Sequence, residues 1–180
     1  MRTVTVIREW SLLEFALRLF PENRIRRSRL ARSRTGGPIN WKAVLVAAIV
    51  AGVISTLFQL LLWWLAGESP VALLLRDTRL AAAILMGTAV LPPPATFDAM
   101  IMLAATLVHF ALSLAYSAVW AWMLCYTGLR GMAPLVAGGM YGTAIFVLNM
   151  YGFTAAFPWF VLTRDAITLA AHVVFGMSLA

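Results

Sequence analysis

The chain has 180 residues, of which 62% are hydrophobic and 12% charged, and its formal net charge is +7. A soluble domain averages about 45–50% apolar and about 25% charged residues, and a mean hydropathy of +0.88 leaves too few charges to cover a water-facing surface. Composition therefore excludes a soluble enzyme and a disordered chain and points to an all-α membrane protein of several spans.

Residues 4–20 read as an amphipathic helix too charged to span a bilayer, with Glu14 four residues before Arg18 and Pro21 ending it. An arginine run follows: Arg24, Arg26, Arg27, Arg29, Arg32 and Arg34. Such a run holds anionic lipid headgroups at about 1 kcal/mol per base, or serves only as a solvated flank that sets orientation. Nucleic acid is not the expected partner, because no aromatic-interleaved fold accompanies the basic run. Residues 1–40 thus form a basic cytoplasmic segment, and 41–180 a transmembrane domain. A natural start nearer Asn40, with the first 40 residues as an upstream extension, is the alternative.

The body carries uncharged windows at 43–67, 99–129 and 131–163, and a final one at 166–180. A helix needs about 20 apolar residues to cross a hydrocarbon core of roughly 30 Å. Four spans are expected: 42–66, 97–127, 132–151, and one starting near Thr163 or Arg164. Trp41, Trp63, Trp64, Trp120, Trp122 and Tyr126 fall near span ends as interface anchors. Between the first two spans, residues 69–91 carry Arg76, Asp77 and Arg79 before a run of three prolines, Pro92 to Pro94. That segment predicts an interfacial or re-entrant helix. Residues 151–162, rich in aromatics around Pro158, suit an interfacial loop. The last span is short and ends on a free carboxylate, which favours a truncated piece of a longer protein.

Ten of the 14 bases lie in residues 1–42, and Arg130 falls on the same side in a four-span topology. Positive charge collects on the cytoplasmic side, so both termini are expected there.

Few polar residues lie within the spans. His109 sits on a stripe with Ala105, Ser113, Ser117 and Ala121, and His172 on a stripe with Thr168, Gly176 and Ala180. Small residues four apart make a helix-packing face, so both histidines should point at other helices. Asp98 and Asp165 precede these histidines by eleven and seven residues, which returns to nearly the same helical face. Two uses follow. Asp98, His109, Asp165 and His172 line a path for protons or cations. Otherwise the histidines tie helices together through Gln59, Asn149 or a hydroxyl, and the aspartates cap helices. Gly138 and Gly142 permit close backbone approach, within the bundle or between copies. The single cysteine, Cys125, reads as a small apolar side chain. Neither a metal nor a cofactor is expected, and no nucleotide-binding or hydrolase motif is present. Arg76-Asp77 and Arg164-Asp165, each followed by an alanine-rich turn, form a weak internal echo that either a duplicated unit or chance explains.

From Ile39 to Ala180, the segments INWKAVLVAAIVAG, VLPPPATFD, HFALSLAYS, NMYGFTAAFPWF and RDAITLAAHVVFG resemble a family of small four-helix bacterial inner-membrane proteins of unknown function, often labelled "sodium:proline symporter". The resemblance implies a multi-pass protein of the bacterial inner (plasma) membrane. The family continues past the fourth helix with a basic tail that this chain lacks. The function expected first is a non-enzymatic accessory or structural subunit, as a homo-oligomer or within a larger membrane complex. The alternative is a small oligomeric transporter or channel for protons, cations or a small solute.

Overall fold

The structure, a computed structural model, describes residues 39–180. The amphipathic segment 4–20 and the six arginines from Arg24 to Arg34 lie outside the described residues. All regular structure among the described residues is helical. Five α-helices follow one another: α1 (Trp41–Leu65), α2 (Pro70–Met86), α3 (Ala99–Thr127), α4 (Ala133–Val147) and α5 (Ala166–Ser178). Single 3-10 or π turns fill the connection between α4 and α5.

Local chemistry sets the helix ends. Asn40 accepts from the Ala43 amide at 3.2 Å, and Ser69 from the Ala72 amide at 3.4 Å with Pro70 in the first turn. Asp98 accepts from the Met100 and Ile101 amides at 2.9 and 3.0 Å, and Asp165 from the Thr168 amide at 2.8 Å. Each cap satisfies amides that the helix itself leaves unpaired. At the other end, Gly87 stops α2 and Gly128 stops α3 with φ of +81° and +57°, where a side chain would be strained.

Three stretches are long and apolar enough to cross a membrane: Trp41–Leu65, Ala99–Thr127 and Ala133–Ala155. Their surfaces are arranged for lipid. On α1, Leu45, Val46, Ile49, Val50, Val53 and Leu57 are exposed, while Ala48, Ala51, Gly52 and Ser55 are buried. Most of the larger apolar side chains face out and the small ones face the helices, as expected where lipid replaces water, with Val44 and Trp63 as buried exceptions. The 13 residues of α5 extend only about 20 Å, and α2 has 17 residues.

α5 packs between α4 and α1, and α3 between α1 and α2. The contact between α4 and α5 is backbone on backbone. A Cβ at Gly138 would overlap the carbonyl oxygen of Gly176, one at Gly142 the carbonyl oxygen of His172, and one at Gly176 the carbonyl oxygen of Gly138. These three glycines are buried, and the seam they make sets the spacing of the two helices. Across the bundle, Ala51, Ile145 and Phe175 join α1, α4 and α5, while Ala82 of α2 packs on Ile101 and Ala105 of α3.

Irregular backbone concentrates at one end of the bundle. After Val147 the α-helix widens into a π turn, Leu148–Gly152, then narrows into 3-10 turns. Arg164 holds that widening, with Nε donating to the Met150 carbonyl at 2.6 Å and Nη2 to Thr154 Oγ1 at 2.7 Å. The expected loop at 151–162 is therefore a run of pinned single turns. Trp159 Nε1 donates to the Leu80 carbonyl at 2.9 Å and ties those turns to α2. Arg79, 8% exposed, likewise donates to the carbonyls of Val90 and Thr96 and fixes the proline-rich connection. The two Arg-Asp pairs of the internal echo fall at unlike places: Asp77 lies inside α2, whereas Asp165 precedes α5.

Gly176→Ala and Gly139→Ala give a matched test. A Cβ at Gly139 meets Met177 and Val173 side chains at ordinary distances of 3.6 and 3.7 Å. Thermal unfolding in detergent should show Gly139→Ala near wild type and Gly176→Ala destabilised by about 1–3 kcal/mol or more, the usual cost of overpacking. Equal effects would mean that α4 and α5 do not touch through backbone.

Candidate polar cavity

Side chains of α1, α2, α3, α4 and α5, with those of the turns between α4 and α5, line a partly open cavity of about 450 Å³. Gln59 and Thr56 enter it from α1, His109 and Tyr116 from α3, Asn149 from the π turn after α4, and His172 and Thr168 from α5. α2 contributes Asp77 and Thr78. Most of the remaining wall is apolar, including Phe110, Ile145, Phe160 and Phe175.

One hydrogen-bonded chain crosses this wall. The Tyr116 hydroxyl donates to Asn149 Oδ1. Asn149 Nδ2 lies 3.3 Å from His172 Nε2, and His172 Nδ1 lies 2.8 Å from the Thr168 carbonyl oxygen. A carbonyl only accepts, so Nδ1 carries the proton and Nε2 accepts from the amide. Three helical segments are thereby joined at one level, and the Tyr141 hydroxyl adds a bond to the Tyr116 carbonyl at 2.8 Å. The widened turn 148–152 is what carries Asn149 to this level. Nearby, Gln59 Nε2 reaches Thr168 Oγ1 at 3.4 Å, a long contact for a hydrogen bond.

His109 is placed differently. Its ring lies edge-on to Phe110 at 5.0 Å, and its Nε2 is buried with no hydrogen-bond partner among the described residues. The ring packs against α1 at Gly52, where a Cβ would stand 3.0 Å from Nε2 and 3.2 Å from Ser113 Oγ. Gly52 is thus the notch that admits the histidine. Ser113 and Ser117 are buried on the same stripe, and Ser117 Oγ also lacks a partner among the described residues.

Of the residues singled out in the sequence, His109, His172, Gln59 and Asn149 meet at this one cavity. Asp98 and Asp165 do not line it. Both are exposed, and their carboxylates cap α3 and α5. A carboxylate that binds the free amides of a first turn stays at the helix mouth, so of the two uses read from the sequence the aspartates take that of helix caps and not that of a path beside the histidines. Asp165 Oδ2 still touches the wall indirectly, 3.3 Å from Thr168 Oγ1. Gly138, Gly142 and Gly176 form the α4–α5 seam behind the cavity.

Sequence reasoning named Asp77 and Thr168 but joined neither of them, nor Gly52, to a shared site with the histidines. An acid inside a helix packed on a candidate span was the available signal for Asp77. Its carboxylate, 24% exposed, pairs with Arg76 at 2.8 Å. Burial pushes the Asp77 carboxyl above its ordinary value of 3.8, Arg76 opposes that shift, and the Asp165 carboxylate adds to it. Among the described residues no three His, Cys, Asp or Glu side chains are grouped to hold a metal ion. No protein-family model, curated protein or solved structure matches the chain.

Removal of either histidine ring deletes the same volume, but loss of His172 also breaks its contacts to the Asn149 side chain and the Thr168 carbonyl. His172→Ala should therefore lower stability by about 1–2 kcal/mol more than His109→Ala, read as midpoints of unfolding in detergent. For Asp77 the folded pKa is raised, so its contribution to stability is present below the ordinary carboxylate value and is lost as pH rises through the folded pKa. Thermal midpoints of the wild type should fall across that window above 3.8, and Asp77→Asn should abolish that part of the slope.

Proposed function

We propose that this chain is a multi-pass membrane protein that binds a small solute in an intramembrane cavity and passes it through the bilayer. The carrying observation is the cavity itself, about 450 Å³ with polar groups from α1, α2, α3 and α5 in a mainly apolar wall. Pockets that take small molecules measure about 300–1,000 Å³ and combine apolar lining with a few polar groups. In a purely structural subunit these polar groups would be packed against one another without intervening space, because polar atoms in a bilayer core are costly to leave unpaired. The cavity thus favours the transport reading over the accessory subunit that the sequence put first. Among the candidate cargoes, a small solute fits better than a cation, since Asp77 already pairs with Arg76. No chemistry on the solute is part of the proposal.

In the full proposal, α1, α3, α4 and α5 are four spans, and the turns before α5 complete the fourth. α2 is the interfacial or re-entrant helix. The termini are cytoplasmic, the membrane is a bacterial inner membrane, and the arginine-rich segment lies on anionic headgroups. The functional unit is a homo-oligomer.

Single-cysteine labelling tests the cavity. In a Cys125→Ser background, Thr56→Cys places a thiol in the wall and Val50→Cys places one on the exposed outer face of α1. In proteoliposomes N-ethylmaleimide should modify Thr56→Cys much faster than Val50→Cys, because the reactive thiolate forms only in a polar site. Equal, slow reaction at both positions would contradict the proposal and return the accessory reading to first place.

A further inference from the structure

The wall of the cavity reaches the outer surface between α1 and α3. Val53 and Leu57 of α1 line the cavity and are also 43% and 60% exposed. Thr106, facing them from α3, lines it and is exposed as well. Below this gap the helices close again, where Gly52 receives His109 and Ser113. The depth of the gap follows from helix geometry. Val53 is the middle residue of Trp41–Leu65, so at 1.5 Å per residue it stands about 18 Å from either end of α1. An opening at that level of a spanning helix faces hydrocarbon, since the core is roughly 30 Å thick. The surface around the gap is itself apolar, with Ile54, Leu103 and Leu107 exposed beside it.

The described wall also offers no net charge. Among the described residues no Lys or Arg side chain lines the cavity, and the one carboxylate that does, Asp77, is paired with Arg76 at 2.8 Å. Asn149, His172 and Tyr116 are already bonded to one another, whereas Gln59 has only a 3.4 Å contact to Thr168 and is readily exchanged for a ligand group.

We infer that the solute is an uncharged, mainly apolar molecule dissolved in the bilayer, carrying a hydroxyl or carbonyl group, which enters sideways between α1 and α3 and hydrogen-bonds to Gln59. This deepens the proposed function and rests on it. An apolar body matches the Leu57 and Phe110 side of the wall, and a single hydrogen-bonding group matches the amide. A charged or water-borne solute would instead need an opening at a bundle end and a counter-charge in the wall.

The test uses dodecanol carrying a mid-chain diazirine, photolysed with the full chain in vesicles of phosphatidylethanolamine and phosphatidylglycerol. Cross-linked residues are mapped by mass spectrometry. Saturable cross-links at Phe110, Ile145 or Phe175 are expected. The double variant Leu57→Trp/Thr106→Trp fills the gap with side chains at exposed positions, so the fold is retained, and Val50→Trp serves as the control on the lipid face. The gap variant should lower inner cross-linking by about tenfold, equivalent to about 1.4 kcal/mol of binding, and the control should leave it unchanged. Cross-links confined to outward residues such as Leu45 and Val46, or inner cross-links that the gap variant does not reduce, would overturn the inference. N-ethylmaleimide reaction at Thr56→Cys separates the two failures. If it persists, the cavity reading stands and only the sideways entry and ligand class fall; if it too is lost, both fall.

Discussion

The backbone contact between α4 and α5 is the constraint on which the rest of the bundle depends. Lipid is as apolar as a leucine side chain, so helices in a bilayer gain little from burying apolar surface against each other, and close packing with hydrogen bonds has to hold them. Gly138, Gly142 and Gly176 supply that closeness because a Cβ at any of them would overlap the facing backbone. The seam puts His172 directly against α4. Beyond the seam α4 passes into the π turn Leu148–Gly152. That turn carries Asn149 to His172 and Tyr116. Seam, turn and hydrogen-bonded chain are therefore one unit.

Opposite the seam the bundle is looser. α1 and α3 pack on each other where Gly52 receives His109 and Ser113, and the cavity lies beside this contact. Two arginines keep the covering connections in place without carboxylate partners among the described residues, Arg79 on the carbonyls near the prolines and Arg164 on the widened turn. A guanidinium offers five fixed donors and suits several irregular carbonyls at once. These arginines are thus structural clamps as well as bases in a charge count.

Much of the fold was legible because apolar length and helix punctuation are local properties. The uncharged windows placed α1, α3 and α4 close to their observed limits, and Asp98 and Asp165 cap α3 and α5 as one of the two sequence readings had them. The small-residue stripes also indicated that His109 and His172 face other helices. What was not legible depends on how helices are paired. Nothing local distinguishes Gly52 from other small residues of α1 until His109 is seen against it. Asp77 read as an obstacle to spanning and was never joined to the histidines, since its place beside the cavity is set by contacts of α2 with α3 and with the 158–163 turns. The aspartates drew attention by their helical spacing from the histidines, yet capping keeps them at the helix mouths. Periodicity along one helix shows which face a residue shares, while the depth of a cavity depends on where neighbouring helices part.

The most direct test of this account is water-edited solid-state NMR of the protein in lipid bilayers, which reports which sites receive magnetisation from mobile water. The account predicts transfer to the Gln59 side-chain amide and none to the Cα positions of Gly138, Gly142 and Gly176, a polar cavity beside a dry helix seam. A dry Gln59, or water reaching the three glycines, would contradict it.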